Sequence, residues 1–160
     1  MKIERITHDP METMHFASTL ASYLRGGDVI ALDGPLGAGK TCFVRGLAQG
    51  LGVNPAEVSS PTFIICHEYQ GRSATLAHLD LYRVAGEDEL ESIGWDEFVT
   101  SKDTILAIEW PSRAAAALSG LPLINVSLEH IDSNRRRLTL SVEGEMARRL
   151  EDFHEAFTNV

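Results

Sequence analysis

Eight consecutive residues, Gly34, Pro35, Leu36, Gly37, Ala38, Gly39, Lys40 and Thr41, have the types and spacing to do chemistry. They fit G-x-x-x-x-G-K-[ST], the pattern of a loop that curls backbone N–H groups around a phosphate. The glycines keep side chains out of the curl. Lys40 brings a mobile positive charge toward the outer phosphates, and the Thr41 hydroxyl is placed to hold Mg²⁺. A helix starting here, beginning with Cys42, points its positive end at the same anion. Mg²⁺ in such a site takes one or two protein carboxylates besides water and phosphate oxygens. Two apolar runs supply them: residues 76–80 end in Asp80 and residues 105–109 end in Glu109. Ligands bind at the C-terminal ends of strands in open α/β sheets, so both acids are candidates. Local sequence does not rank them. Asp33, just before the loop, suits a bracing role better. In Ser60-Pro61-Thr62-Phe63, Thr62 can bind Mg²⁺ or orient a water in a phosphate-sensing segment. It can equally cap a turn.

The elements that must position these groups are legible from periodicity. Residues 28–32 read as a short buried strand feeding the loop, and residues 42–51 as a helix with Phe43, Val44, Leu47, Ala48 and Leu51 on one side. Before them, residues 2–7 alternate as a strand. Asp9-Pro10 is an N-cap with proline at the first helical position, and Gly26-Gly27 stops that helix. Residues 63–69 and 74–80 flank a four-residue turn, too short for a parallel crossover, so they form an antiparallel hairpin and the sheet is mixed. Residues 86–99 form a helix that Gly94 divides. Residues 104–108 are apolar enough for a strand covered on both faces. A short helix over 114–118 and a closing strand pair, 123–129 and 138–142, follow. The stripe Met146, Leu150, Phe153, Phe157 predicts one last helix over about 145–157. The fold expected is one three-layer α/β domain of the P-loop NTPase type with a mixed parallel and antiparallel sheet.

Composition bounds the function. The formal net charge of −9 disfavours strong independent binding of nucleic acid, which needs a broad basic face. No stretch is long and apolar enough to span a bilayer, and no apolar block follows Lys2, Glu4 and Arg5 as a secretory signal requires. The cytoplasm is the expected compartment. Two cysteines, Cys42 and Cys66, make neither a disulfide framework nor a zinc pattern. Cys42, beside a helix N-terminus and Lys40, sits where a thiol pKa can fall; the competing reading is an inert, buried thiol. His78 alternates with Asp80 and reads as a core or supporting residue, since no other histidine stands at ligand spacing. Arg135, Arg136 and Arg137 read as a solvated hairpin end rather than an RNA contact.

Four motifs in order resemble the TsaE (YjeE) family: G-x-L-G-A-G-K-T from Gly34, S-P-T-F from Ser60, H-x-D-L-Y-R from His78 to Arg83, and E-W-P from Glu109 to Pro111. These are bacterial ATPases of the tRNA threonylcarbamoyladenosine modification. The resemblance covers about residues 1–142. It implies that Lys40 and the loop amides hold ATP phosphates, and that Thr41, Asp80 and Glu109 lie at or near Mg²⁺, with Asp80 the Walker-B-like acid. It also implies that Thr62 belongs to a switch-like segment and that Trp110 lies beside the nucleotide. The implied partners are TsaD and TsaB type proteins, on which the carbamoyl transfer itself takes place, with tRNA contacted indirectly. Two positions depart from the usual family loop. Pro35 stands where an acid is common and removes one N–H, and Cys42 replaces a hydroxyl residue. Outside the family, a small-molecule phosphotransferase on the same fold is the main alternative, but no arginine-rich lid follows the acidic strand ends. A nucleotide-dependent binding module is a second alternative. A GTPase is disfavoured because no N-K-x-D segment is present.

Overall fold

The chain alternates strands and helices in the order β1 (Lys2–Thr7), α1 (Pro10–Ala21), β2 (Val29–Asp33), α2 (Lys40–Gly50), β3 (Cys66–Gln70), β4 (Thr75–Asp80), α3 (Asp88–Ser92), α4 (Trp95–Thr100), β5 (Thr104–Glu109), α5 (Ala115–Leu118), β6 (Leu123–His130), β7 (Arg136–Ser141), α6 (Gly144–Arg149) and α7 (Glu151–Thr158). The structure is a computed structural model that describes residues 1–61 and 65–158. The seven strands of the described residues join one sheet in the order β1-β7-β6-β2-β5-β4-β3. The inner four, β6, β2, β5 and β4, run parallel. The outer pairings, β4 with β3 and β6 through β7 to β1, are antiparallel. The mixed sheet expected from the hairpin is therefore present. The parallel core also explains why β2 and β5 read as continuous apolar runs, since helices cover both of their faces.

Strand alternation sorts side chains between the two layers. Ile30, Leu32, Ile105, Ala107 and Leu76 face α1, α2 and the C-terminal helices in one core. Val29, Leu106, Ile108, Ala77 and Leu79 face α3, α4 and α5 in the other. This parity decides the site. Residues two apart share a face, so His78 and Asp80 follow Leu76, and Glu109 follows Ala107, onto the α2 side of the sheet.

Local signals explain the helix ends. The Asp9 carboxylate accepts the Glu12 N–H at 2.9 Å and caps α1. Gly94, with φ 79°, separates α3 from α4 as its position predicted. Glu87, although it stands at the head of α3, makes no side-chain cap there; its carboxylate accepts the N–H groups of Ala116 and Ala117, at 2.8 and 3.3 Å, at the start of α5. The single last helix expected over about 145–157 is two helices, α6 and α7, meeting at Leu150 (φ −97°, ψ 16°). The stripe survives the break: Leu150 and Phe153 are buried, and Phe153 and Phe157 pack on Phe16 with ring centroids 5.2 and 4.7 Å away.

α1 and α2 lie close because α2 carries Gly46 at their crossing. A Cβ there would collide with the Met14 carbonyl oxygen and stand 2.7 Å from the Ala17 methyl. Gly46→Ala gains helix propensity of about 1 kcal/mol, while overpacking a tight core typically costs about 1–3 kcal/mol. Backbone cannot yield as a flexible side chain can, so the steric term wins. The expected result is a melting temperature lower by at least about 2 °C in thermal denaturation; an unchanged or higher value would refute the close approach.

Candidate nucleotide site

The glycine loop leaves the C-terminal end of β2, with β5 on one side and β6 on the other. In register, Leu32 stands opposite Glu109, and Glu109 opposite Asp80. Both acids that the sequence left unranked therefore arrive side by side at the mouth of the loop. They border a cavity of about 630 Å³, together with Gly37, Gly39, Lys40, Thr41, Cys42 and Trp110. Leu36 also lines it, although Leu36 is 72% exposed.

The two carboxylates do different things. Glu109 is buried, and its Oε1 accepts the Thr41 hydroxyl at 3.0 Å and lies 2.8 Å from His78 Nε2. Asp80 is tied to its own turn: Oδ1 accepts the Tyr82 N–H at 2.9 Å, and the Ser60 hydroxyl reaches Oδ2 at 3.5 Å, the outer limit of a hydrogen bond. Burial pushes the Asp80 carboxyl above the ordinary carboxylate range, the Tyr82 N–H works against that rise, and the neighbouring Glu109 adds to it.

Lys40 is 5% exposed. Its ammonium donates to the Gly34 carbonyl at 2.6 Å and the Pro35 carbonyl at 3.0 Å, and lies 4.5 Å from the centre of the Trp110 ring. Burial lowers its pKa, while Glu109, Asp80 and Asp33 hold it up. Asp33 is exposed at the strand end, where its charge helps hold the Lys40 pKa up. Trp110 is the one described non-glycine residue with positive φ (59°). Such a backbone costs of order 1–3 kcal/mol and persists only where surroundings enforce it. Here the Tyr82 ring, 4.9 Å away, and the lysine hold the indole against the cavity. Nothing in the sequence signalled that turn beyond the proline that follows.

The residues suit a nucleotide phosphate with Mg²⁺. Gly39 adopts φ 107°, and a Cβ there would enter open space at the head of α2, the space a curled phosphate needs. α2 has no side-chain cap at that end, which leaves its N-terminal field to an anion. The hard oxygen donors of Thr41, Asp80 and Glu109 match the preference of Mg²⁺.

Some sequence expectations resolve otherwise. The Cys42 thiol is pushed up by burial rather than lowered, despite nearby Arg45 and Arg136, and its Sγ donates to the Pro10 carbonyl at 3.4 Å. The thiol is half-buried rather than buried and lines the same cavity. Arg135 and Arg137 pair with Asp132 and Glu129, and Arg136 bonds backbone carbonyls of its own hairpin. Thr62 lies outside the described residues. A larger cavity, about 960 Å³, opens at the opposite end of the sheet around Asp28 and Arg149 and contains none of the predicted site residues.

A mixed α/β sheet whose central parallel strand feeds a G-x-x-x-x-G-K-T loop, with β5 and β4 beside it ending in acids, defines the P-loop NTPase class of fold. Within it, the family described as threonylcarbamoyl adenosine biosynthesis protein TsaE matches residues 7–138. The chain is 39% identical over 138 residues to the tRNA threonylcarbamoyladenosine biosynthesis protein TsaE of Aquifex aeolicus, spanning 86% of this chain and 94% of that protein. It is 44% identical over 138 residues to the TsaE protein of Bacillus subtilis, spanning 86% and 84%. The crystal structure of Bacillus subtilis YdiB superimposes with a TM-score of 0.78 at 28% identity, covering 98% of this chain and 95% of that one. The chain belongs to the TsaE family, whose role is in tRNA threonylcarbamoyladenosine biosynthesis. No described helix is long and apolar enough to cross a membrane.

Proposed function

We propose that this protein binds and hydrolyses ATP with Mg²⁺ and acts on a TsaD–TsaB type complex in the cytoplasm, meeting tRNA only through that assembly. The observation that carries the reading is the convergence of Lys40, Thr41, Asp80 and Glu109 on one cavity at the loop. Lys40 exchanges its carbonyl partners for phosphate oxygens, and the loop amides from Gly34 to Thr41 enclose the phosphates. Thr41, Asp80 and Glu109 are the residues that would lie at or near Mg²⁺, which when bound would neutralise charge on the transferred phosphoryl group. Glu109 lies within hydrogen-bond reach of the Thr41 hydroxyl and orients groups around the terminal phosphate. Thr62 joins them as a phosphate-sensing residue. Little covalent chemistry falls to the side chains, because phosphoryl transfer rests on positioning and charge neutralisation.

A self-contained phosphotransferase is less well supported, since the arginines of the β6–β7 hairpin are engaged in their own turn. The test is ATP turnover of the protein alone and with TsaD and TsaB type proteins. The expected outcome is slow turnover alone and at least about tenfold faster turnover with both, a transition-state gain of about 1.4 kcal/mol. Phosphate transfer to a small acceptor, or tight binding with no hydrolysis under either condition, would replace this reading.

A further inference from the structure

His78 is 0% exposed, yet it carries a polar ring into the sheet core directly below the site. Its Nε2 lies 2.8 Å from Glu109 Oε1, and its Nδ1 is buried with no hydrogen-bond partner. These two facts assign the ring. A proton on Nδ1 would leave a buried donor unsatisfied and turn the Nε2 lone pair toward a carboxylate oxygen, two unfavourable terms at once. The proton therefore sits on Nε2 and is donated to Glu109. The same Oε1 accepts the Thr41 hydroxyl at 3.0 Å. One carboxylate oxygen is thus held by two donors from different elements, β4 and the first turn of α2. Oε2 is left to take a further donor or a cation.

We infer that His78 is a positioning residue that fixes the Glu109 carboxylate in the orientation nucleotide turnover requires, without itself touching nucleotide. The inference rests on the ATP-hydrolysing reading above and names what holds its second acid. The geometry separates His78 from a core filler. A filler needs only volume, whereas this ring spends its single donor on a site carboxylate and leaves its other nitrogen unpaired. Glu109 otherwise has three side-chain torsions, and the Thr41 hydroxyl alone constrains them only while it is not drawn to another ligand. Were the Thr41 hydroxyl engaged by another ligand, His78 would be the donor that remains. Outer partners of this kind typically cost about 10- to 100-fold in metal affinity or activity when removed.

The test compares His78→Gln, His78→Asn and His78→Leu with wild type. Glutamine places an N–H near the position of imidazole Nε2, while asparagine reaches only as far as Nδ1. Turnover with the partner proteins should fall on the order of 10- to 100-fold in kcat for His78→Leu and His78→Asn, with KM for ATP within about threefold of wild type. His78→Gln should recover most of kcat. In a Glu109→Gln background, His78→Leu should cause no further loss. Independently of activity, ¹⁵N–¹H spectra of the free protein should show His78 protonated at Nε2 and not at Nδ1; the reverse tautomer would overturn the assignment even if His78→Leu fails to fold. Equal kcat for the Gln and Asn variants, or a His78→Leu enzyme within twofold of wild type, would leave His78 a packing residue while the ATPase reading stands. Absence of nucleotide binding or turnover in wild type would remove both.

Discussion

Lys40→Ala will weaken ATP binding on the order of 100-fold and lower turnover by a further 100- to 1,000-fold. The first figure follows from an exchange rather than a simple gain. In the free protein the ammonium already donates to the Gly34 and Pro35 carbonyls. Phosphate oxygens replace neutral acceptors with charged ones, and a charged hydrogen bond is worth about 1.5–3 kcal/mol. A net of about 2–3 kcal/mol, near 100-fold, is the expected difference. The second figure reflects charge that develops on the transferred group, where removing one preorganised donor costs about 10²–10³ in rate. Lys40→Met should behave like the alanine variant, because it keeps the aliphatic stem and removes only the charge that faces the Trp110 ring. Calorimetric titration with ATP separates the two effects from turnover. Binding within threefold of wild type in both variants would mean that the loop does not hold phosphate.

Most of the frame was legible because local rules and the global fold agree here. The loop motif, the N-cap at Asp9, the break at Gly94 and the short turn between β3 and β4 each follow from a residue whose conformational preference is strong. What escaped required knowing which strands are neighbours. Asp80 and Glu109 could not be ranked from local sequence because their difference is made by partners distant in the chain. Thr41 and His78 hold one, while the Tyr82 turn and Ser60 hold the other. Glu87 stands at the head of α3, but its carboxylate serves α5, far along the chain, which local sequence does not show. The Cys42 thiol pKa is raised where nearby positive charge alone suggests lowering, because proximity to charge is visible in sequence while burial is not, and burial is the larger influence. The last helix reads as continuous because a stripe at helical spacing tolerates a break that keeps the same residues facing inward.

Asp80→Asn will stabilise the free protein at neutral pH and cut Mg²⁺-dependent turnover at least about 100-fold. The two effects share one cause. Burial and the neighbouring Glu109 raise the Asp80 pKa above its ordinary value of 3.8, so the ionised form is penalised in the folded state. A group whose pKa is raised on folding contributes stability that is full below its unfolded value and lost as pH rises through the folded one. As pH rises that contribution is lost, and asparagine, which keeps an acceptor for the Tyr82 N–H, avoids the penalty. The advantage of the variant should therefore grow as pH rises from about 4 toward neutrality, and thermal melts across that range will show it. Lys40 tempers the penalty, because Asp80 and Glu109 face the same ammonium. Removing Lys40 should enlarge the stabilisation that Asp80→Asn brings. Adding Mg²⁺ and nucleotide should invert the order. A bound cation repays wild type for the buried charge, since a ligand that binds only the folded state stabilises it in proportion to its occupancy, and the neutral amide makes a poor substitute for the carboxylate. A carboxylate that weakens the free fold and strengthens the loaded one makes the nucleotide-bound state the more distinct of the two. An Asp80→Asn melt that shows no pH-dependent advantage, or that rises with Mg²⁺ and nucleotide as much as wild type, would place the cation elsewhere.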